Sequence, residues 1–302
     1  MVKRRRVTIL TGPTAVGKTE LSILLAEHMG CPIISADSRQ VYRGMAIGTA
    51  QPDEQSLRRV KHHLVGCRDV EQYYSAYEFE MDALRLLEEV WATGCDEALV
   101  TGGSMMYIDA LCGKIDDIPT ISDDVRQKTW EEFERCGLMH MVELLECLDP
   151  EYAKVVDAKN AKRVVHAIEI CRQSGTTYTS LRTGKHKERP FEIRLVALQR
   201  ERSELFERIG ARVEQMMDMG LEDEARLLLP KRELNALNTV GYKEMFAYFD
   251  GEMSFREAKE RIKKNTRVYA KKQMTWFVKN PLYEWYDASE NSSKLADRIL
   301  GK

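Results

Sequence analysis

The chain has 302 residues, 43% of them apolar and 31% charged, with 18 Gly and 8 Pro scattered along it; that composition suits one large globular domain or two and excludes a disordered or fibrous chain. No apolar run approaches the roughly 20 residues of a membrane span, and the basic start MVKRRR leads into a strand and not into a signal-peptide core, so a cytoplasmic protein is expected. The net charge of −2 hides an asymmetry, because residues 1–150 carry 16 Lys and Arg against 25 Asp and Glu, whereas residues 151–302 carry 30 against 23. A basic C-terminal half suits a polyanionic partner, although a solvated helical surface would give the same balance. The seven cysteines include no Cys-x-x-Cys pair, which points to free thiols in a reducing compartment and away from a disulfide framework or a zinc site.

Taken in order, the first apolar, β-branched run is Val7–Leu10, and it leads into GPTAVGKT, residues 12–19. Gly12, Gly17, Lys18 and Thr19 fill the fixed positions of G-x-x-x-x-G-K-[ST], and apolar residues at helical spacing follow. The glycines let the backbone of Pro13, Thr14, Ala15 and Val16 wrap an anion at the helix N-terminus; Lys18 adds a mobile charge, and Thr19 offers a hydroxyl to Mg²⁺. The loop therefore binds a polyphosphate group, and by itself it leaves open whether that group belongs to ATP or to another molecule.

A second strand, Ile33–Ser35, precedes Asp37, a carboxylate at the C-terminal edge of a parallel strand where ligands of such sheets sit. There it can accept a proton from an attacking group, or it can simply shape a turn. Arg39, Gln40, Tyr42 and Arg43 share its loop, a mixture of charge, amide and aromatic ring that suits a nucleobase and its phosphate. After a strand at His63–Val65 and a helix at Phe79–Ala92, the strand Ala98–Thr101 ends in Gly102-Gly103-Ser104. A kinase would want an acid there to hold Mg²⁺. The two glycines suit close backbone approach to a further anion or an extended substrate, or a plain turn.

From Ile118 to Arg189 only helical patterns occur, in DDVRQKTWEEFERCG, MHMVELLECLD and AKRVVHAIEICRQSG. They read as a helical insertion at residues 118–190, entered through Pro119 and left through Pro190, with a core of residues 1–117 and 191–302. Lys162, Arg163 and His166 share one helical face of it, a candidate contact to nucleic acid. The core regains strands at Ile193–Leu198 and Tyr283–Tyr286. The fold class is α/β, a P-loop NTPase-like core with a central parallel sheet flanked by helices, plus the all-helical insertion domain. Between Phe255 and Phe277, eight basic residues stand against Glu257 and Glu260. Ala258, Ile262, Tyr269 and Trp276 are spaced to face the core, which would leave most of the cations on the outside for a phosphate backbone.

These segments together resemble the bacterial tRNA dimethylallyltransferase (tRNA isopentenyltransferase) family over nearly the whole length, through GPTAVGKT, SADSRQVYRGMAIGTAQP, TGGSMMY, NTVGYKEM and NTRVYAKKQMTWF. The resemblance implies that the loop holds the diphosphate of dimethylallyl diphosphate, with Mg²⁺ at Thr19. It implies that Asp37 is the general base for the exocyclic amine of the adenine 3′ to the anticodon, with Lys18 and Thr19 assisting departure of diphosphate. By position, Ser38, Arg39, Gln40, Ser104, Arg126, Asn238, Gly241 and Lys243 match residues facing tRNA, and Arg212 matches an arginine near the diphosphate. Ser104 stands where most members have Thr, and Lys162 and His166 stand where members commonly show Gln and Arg. The implied protein is a monomer that binds tRNA by its anticodon stem-loop and no membrane. The rival readings are a small-molecule P-loop kinase, a prenyltransferase of free adenine nucleotides, and a non-catalytic RNA-binding module in which Asp37 is dispensable.

Overall fold

The computed structural model describes residues 5–302. They form two compact units: the chain up to Cys112 together with Arg189–Lys302, and the intervening Gly113–Glu188. The first unit opens with β1 (Arg6–Thr11), α1 (Lys18–Met29), β2 (Ile33–Ser35), α2 (Glu54–Arg59), β3 (His62–His63), α3 (Ala76–Ala92), β4 (Glu97–Thr101) and α4 (Met105–Leu111). The second holds α5 (Asp123–Leu148), α6 (Pro150–Ala153), α7 (Ala161–Ser174) and α8 (Tyr178–Leu181). The chain then returns through β5 (Glu192–Gln199), α9 (Arg202–Asp218), α10 (Leu221–Leu228), α11 (Tyr242–Phe249), α12 (Phe255–Phe277), β6 (Glu284–Asp287) and α13 (Ser292–Leu300).

The six strands form one parallel sheet in the order β3-β2-β4-β1-β5-β6. Strands covered on both faces read as unbroken apolar runs, and Val7, Ile9 and Leu10 of β1 are fully buried, as are Leu99, Val100, Val196 and Leu198 beside them. The third strand stops at His63, short of the Val65 expected from the sequence, because Leu64 takes a left-handed φ of 61°. Helix α3 begins with a capping box between Ser75 and Glu78, and α12 with another between Ser254 and Glu257.

The C-terminal edges of β1, β2 and β4 are joined at backbone distance. Ala36 donates its N–H to Thr101 O at 2.7 Å, Gly102 to Leu10 O at 3.2 Å, and Ser104 to Ala36 O at 3.2 Å. A Cβ on Gly102 would lie 2.1 Å from Ala36 O, and one on Gly103 would lie 2.3 Å from the side-chain nitrogen of Gln273. Those glycines admit the protein's own backbone and a side chain at close range.

The insertion unit has its own core, in which Met141 and Leu145 of α5 pack with Val164, Val165 and Ile168 of α7. Two separate helical patterns in the sequence become α5, whose halves meet at the non-helical Gly137, φ 79°. Asp149 is buried there; burial opposes its ionisation, and hydrogen bonds from Thr179 and Tyr152 outweigh that and hold its carboxyl below the usual range. The boundaries fall at 112/113 and 188/189, outside the residue 117 and inside the residue 190 inferred from the prolines. Lys187 N–H donates to Gly113 O at 2.9 Å, so the entering and leaving segments pair before Pro119 is reached. Arg189 belongs to the other unit, donating to Leu111 O at 2.9 Å, Ala110 O at 2.8 Å and the buried Glu80 at 2.5 Å.

Gly102→Ala should lower stability by at least about 2 kcal/mol, because backbone must shift to admit the methyl group. Gly210 lies inside α9 with nothing within 4 Å of an added Cβ, so Gly210→Ala should raise stability by up to about 1 kcal/mol. Urea unfolding of the two variants checks both signs.

Candidate active site

The phosphate loop hangs between β1 and α1. Gly12 takes φ 146° with Leu198 O only 2.8 Å from the place of a Cβ, and Gly17 takes φ 117° as the N-cap of α1, so both positions require glycine. Lys18 donates its ammonium protons to Gly12 O and Pro13 O, both at 2.8 Å. Although its stem keeps some exposure, burial of the ammonium and the neighbouring Arg212 lower its pKa to about 7, against an opposing pull from Asp37.

Three arginines grip the loop from outside. Arg200 donates to Val16 O at 3.3 Å, Arg208 to Ala15 O at 2.9 Å and Arg212 to Thr14 Oγ1 at 3.3 Å. Arg208 and Arg212 stand one turn apart on α9, which presents both to the loop while Ile209 and Val213 fill the core. Burial lowers the Arg212 pKa, and Asp37 opposes the shift. From α12, the buried Gln273 accepts from Thr14 N–H at 2.9 Å and donates to Gly103 O at 2.8 Å, tying the phosphate loop to the glycine turn after β4.

Asp37 follows β2. Its Oδ1 accepts the backbone N–H groups of Arg39 at 2.9 Å and Gln40 at 3.3 Å, so it does shape the turn; Oδ2 accepts no hydrogen bond among the described residues. The next residues are held from behind. Ser38 N–H donates to Ser104 Oγ at 2.7 Å, Arg39 donates to Asn235 O and Ala236 O at 2.8 and 3.2 Å, and Gln40 donates to Thr49 O and Ala50 O at 3.2 and 2.9 Å. Ser104 is buried, and its hydroxyl is engaged with Ser38, so it positions the Asp37 loop instead of facing outward. Tyr42 is buried in the core at 3% exposure and is no stacking surface, and Arg43 turns away to Asp69.

Two cavities meet at Asp37. One, of about 480 Å³, is walled by Thr14, Ala15, Gly17, Lys18 and Thr19 of the phosphate loop with Arg208, Arg212 and Gln40. The other, of about 430 Å³, is walled by Ser38, Arg39, Asn238, Gly241 and Lys243. Thr14, Asp37, Thr49, Arg212 and Tyr269 line both. Segment 238–243 is fixed by the buried Glu244, which accepts from Gly241 N–H at 2.8 Å and Asn265 Nδ2 at 2.6 Å. In the same way Glu224 accepts the N–H groups of Ile47 and Gly48 and the Tyr242 hydroxyl, which sets the loop that carries Thr49.

Tyr269 and Trp276 do not fill the core as their spacing suggested. The buried stripe of α12 is Ala258, Ile262, Ala270, Gln273 and Phe277. Tyr269 and Trp276 lie one position off it; Tyr269 keeps 37% of its surface, with crowding at its hydroxyl and the nearby Asp37 raising its pKa. Trp276 donates to Asp109 at 2.9 Å. Of the helix's eight cations, Lys259 and Lys263 are paired with Glu214. Within the insertion unit, Lys162, Arg163 and His166 are exposed along α7, with His166 Nδ1 3.4 Å from Glu169, and Arg126 is half-buried on α5. The residues that sequence reasoning missed are Arg200, Arg208, Gln273 and Thr49. Only the Arg208 and Arg212 spacing on an amphipathic helix carried a local signal.

The sequence model of the IPP transferase family matches residues 40–280. Over 287 residues the chain is 50% identical to a tRNA dimethylallyltransferase of Bacteroides thetaiotaomicron, covering 95% of this chain and 93% of that one. The solved tRNA isopentenylpyrophosphate transferase of Bacillus halodurans aligns with a TM-score of 0.72 at 32% identity, over 99% of this chain and 96% of its own. A eukaryotic dimethylallyltransferase acting on tRNA, at TM-score 0.81 and 24% identity over 99% and 80%, shares the fold.

An anion beside Lys18 favours the ammonium, so binding takes up a proton above pH 7 and affinity falls as pH rises. Between pH 7.5 and 9 the affinity for inorganic diphosphate, measured by calorimetry relative to Lys18→Met, should fall by up to about tenfold per pH unit. Gln273→Ala leaves Thr14 N–H and Gly103 C=O unpaired and should cost about 1–3 kcal/mol, read by urea unfolding.

Proposed function

The chain belongs to the IPP transferase family, and we propose that it transfers the dimethylallyl group from dimethylallyl diphosphate to the N6 amine of the adenosine 3′ to the anticodon in tRNA. The reaction class is that of its curated relatives, a prenyl transfer that modifies tRNA. The observation that carries the finer reading is the junction of the two cavities at Asp37, one walled by cations and loop amides and the other by polar groups suited to a base. A donor whose diphosphate sits on the phosphate loop presents its allylic carbon toward that junction.

In this reading the N6 lone pair forms the new bond to the allylic carbon as the C–O bond breaks, and the bonding pair departs on the diphosphate. Lys18, Arg208 and Arg212 stabilise that charge in a site where burial strengthens each contact. Asp37 accepts the N6 proton on the oxygen that the turn leaves unused. Arg39, Asn238 and Lys243 hold the extruded nucleotide, and Tyr269 supplies a ring beside it. A Mg²⁺ ion fits the donor set, since the exposed Thr19 hydroxyl offers one hard ligand and such ions take the rest from phosphates and water. Bound there it would neutralise charge on the leaving group. The exposed cations of α7, Lys162 and Arg163, suit tRNA phosphates. None of the described helices is long and apolar enough to cross a membrane; the same reading makes the protein a cytoplasmic monomer.

Unmodified tRNA incubated with the protein, Mg²⁺ and dimethylallyl diphosphate should yield a prenylated adenosine by nucleoside mass spectrometry, and ATP in its place should yield none. Asp37→Ala should lower kcat by about 10²-fold or more with tRNA affinity retained. Consumption of ATP without prenylation would sink the reading in favour of a kinase.

A further inference from the structure

A third cavity, of about 500 Å³, lies between the start of α9 and the middle of α12, on residues that line neither of the cavities at Asp37. Its walls are apolar, from Leu205, Phe206, Val268, Ala270 and Met274. Its rim is cationic, from Arg202, Lys264, Arg267 and Lys271, and no carboxylate lines it. Lys259 and Lys263, earlier on the same helix, are neutralised by Glu214. None of the four rim cations makes an ion pair with another described residue. Arg202 and Arg267 moreover crowd a single ring, with guanidinium carbons 5.1 and 5.5 Å from the Phe206 centroid, and Arg267 Nε is buried without a hydrogen-bond partner. Val268, at the centre of the groove, is 47% exposed.

A surface that leaves like charges unpaired around an apolar floor is completed by a ligand with a hydrocarbon chain and an anionic head. We propose that this groove binds an isoprenoid diphosphate longer than the donor, its chain along Leu205, Val268 and Met274 and its diphosphate on the rim cations. The floor favours such a chain over RNA, because stacking needs a free aromatic face and Phe206 already carries two guanidinium groups. Arg200 also borders the groove, but its guanidinium is taken up by Glu204, Ala288 O and Val16 O and is left out of the site.

The test titrates the full chain with farnesyl diphosphate by calorimetry, in the parent and in Lys18→Met, which weakens anion binding at the phosphate loop. Lys18→Met is expected to keep one site, weakened at least tenfold by a further Val268→Asp or Lys271→Glu, with thermal melting of both groove variants like that of the parent. Loss of all binding in Lys18→Met overturns the proposal. So does binding in Lys18→Met that the groove variants leave intact. If the groove variants instead weaken tRNA or phosphatidylglycerol vesicles while farnesyl diphosphate does not bind, the groove serves RNA or a lipid surface and the proposal is wrong. Groove binding without any prenylated product would refute the proposed function and leave this site standing.

Discussion

The site depends on strand ends meeting at backbone contact, β1 against β5 and β4 against β2, with a side chain from α12 packed onto the turn after β4. Gly12 lies against Leu198, Gly102 against Ala36, and Gly103 against Gln273. Parallel strands deliver their carboxyl ends to one edge of the sheet, where ligands of this architecture bind. The close approach of β2 to β4 brings Asp37 to the edge of the cavity built on the phosphate loop. Gln273 completes the arrangement by fastening Thr14 to Gly103 from α12. The polar groups so fixed are positioned before any ligand arrives, which is the condition for electrostatic stabilisation of a leaving anion.

That edge gathers cations at a cost. Burial penalises the charged forms of both Lys18 and Arg212, and Arg212 further depresses that of Lys18, while Asp37 favours both. Much of the repulsion is offset by loop carbonyls, which accept from Lys18, Arg200 and Arg208. A bound anion would relieve the remainder, so groups that crowd like charge at this edge favour an anionic ligand. Asp37 has the opposite part, as a carboxylate whose one oxygen shapes the turn and whose other stands at the junction of both cavities.

The two faces of α9 and α12 divide the labour of the C-terminal half. One face of each lines the cavity on the phosphate loop, with Arg208 and Arg212 on α9 and Tyr269 and Gln273 on α12. The other faces make the cation-rimmed groove. The positive charge of residues 151–302 is therefore not one surface. Part of it is spent on Glu214, part grips the phosphate loop, part rims the groove, and part stands on the insertion unit.

The phosphate loop, all six strands, the helical character of the insertion and Asp37 as a carboxylate at a strand end are legible in the chain's local patterns. These are local properties: a glycine pattern between a strand and a helix, apolar runs of strand length, and helical periodicity. Which neighbours of Asp37 face the cavities follows from packing, which turns Tyr42 and Ser104 inward and gives Arg39 and Gln40 backbone partners. Packing also placed Tyr269 at the site, because the buried stripe of α12 runs as expected through Ala258 and Ile262 and then through Ala270 and Phe277, one position past Tyr269 and Trp276. The bond from Thr14 to Gln273 spans 259 residues and that from Arg212 to Thr14 spans 198. No periodicity or motif encodes a contact over such distances, because it arises from how complete elements pack and not from the spacing within any one of them.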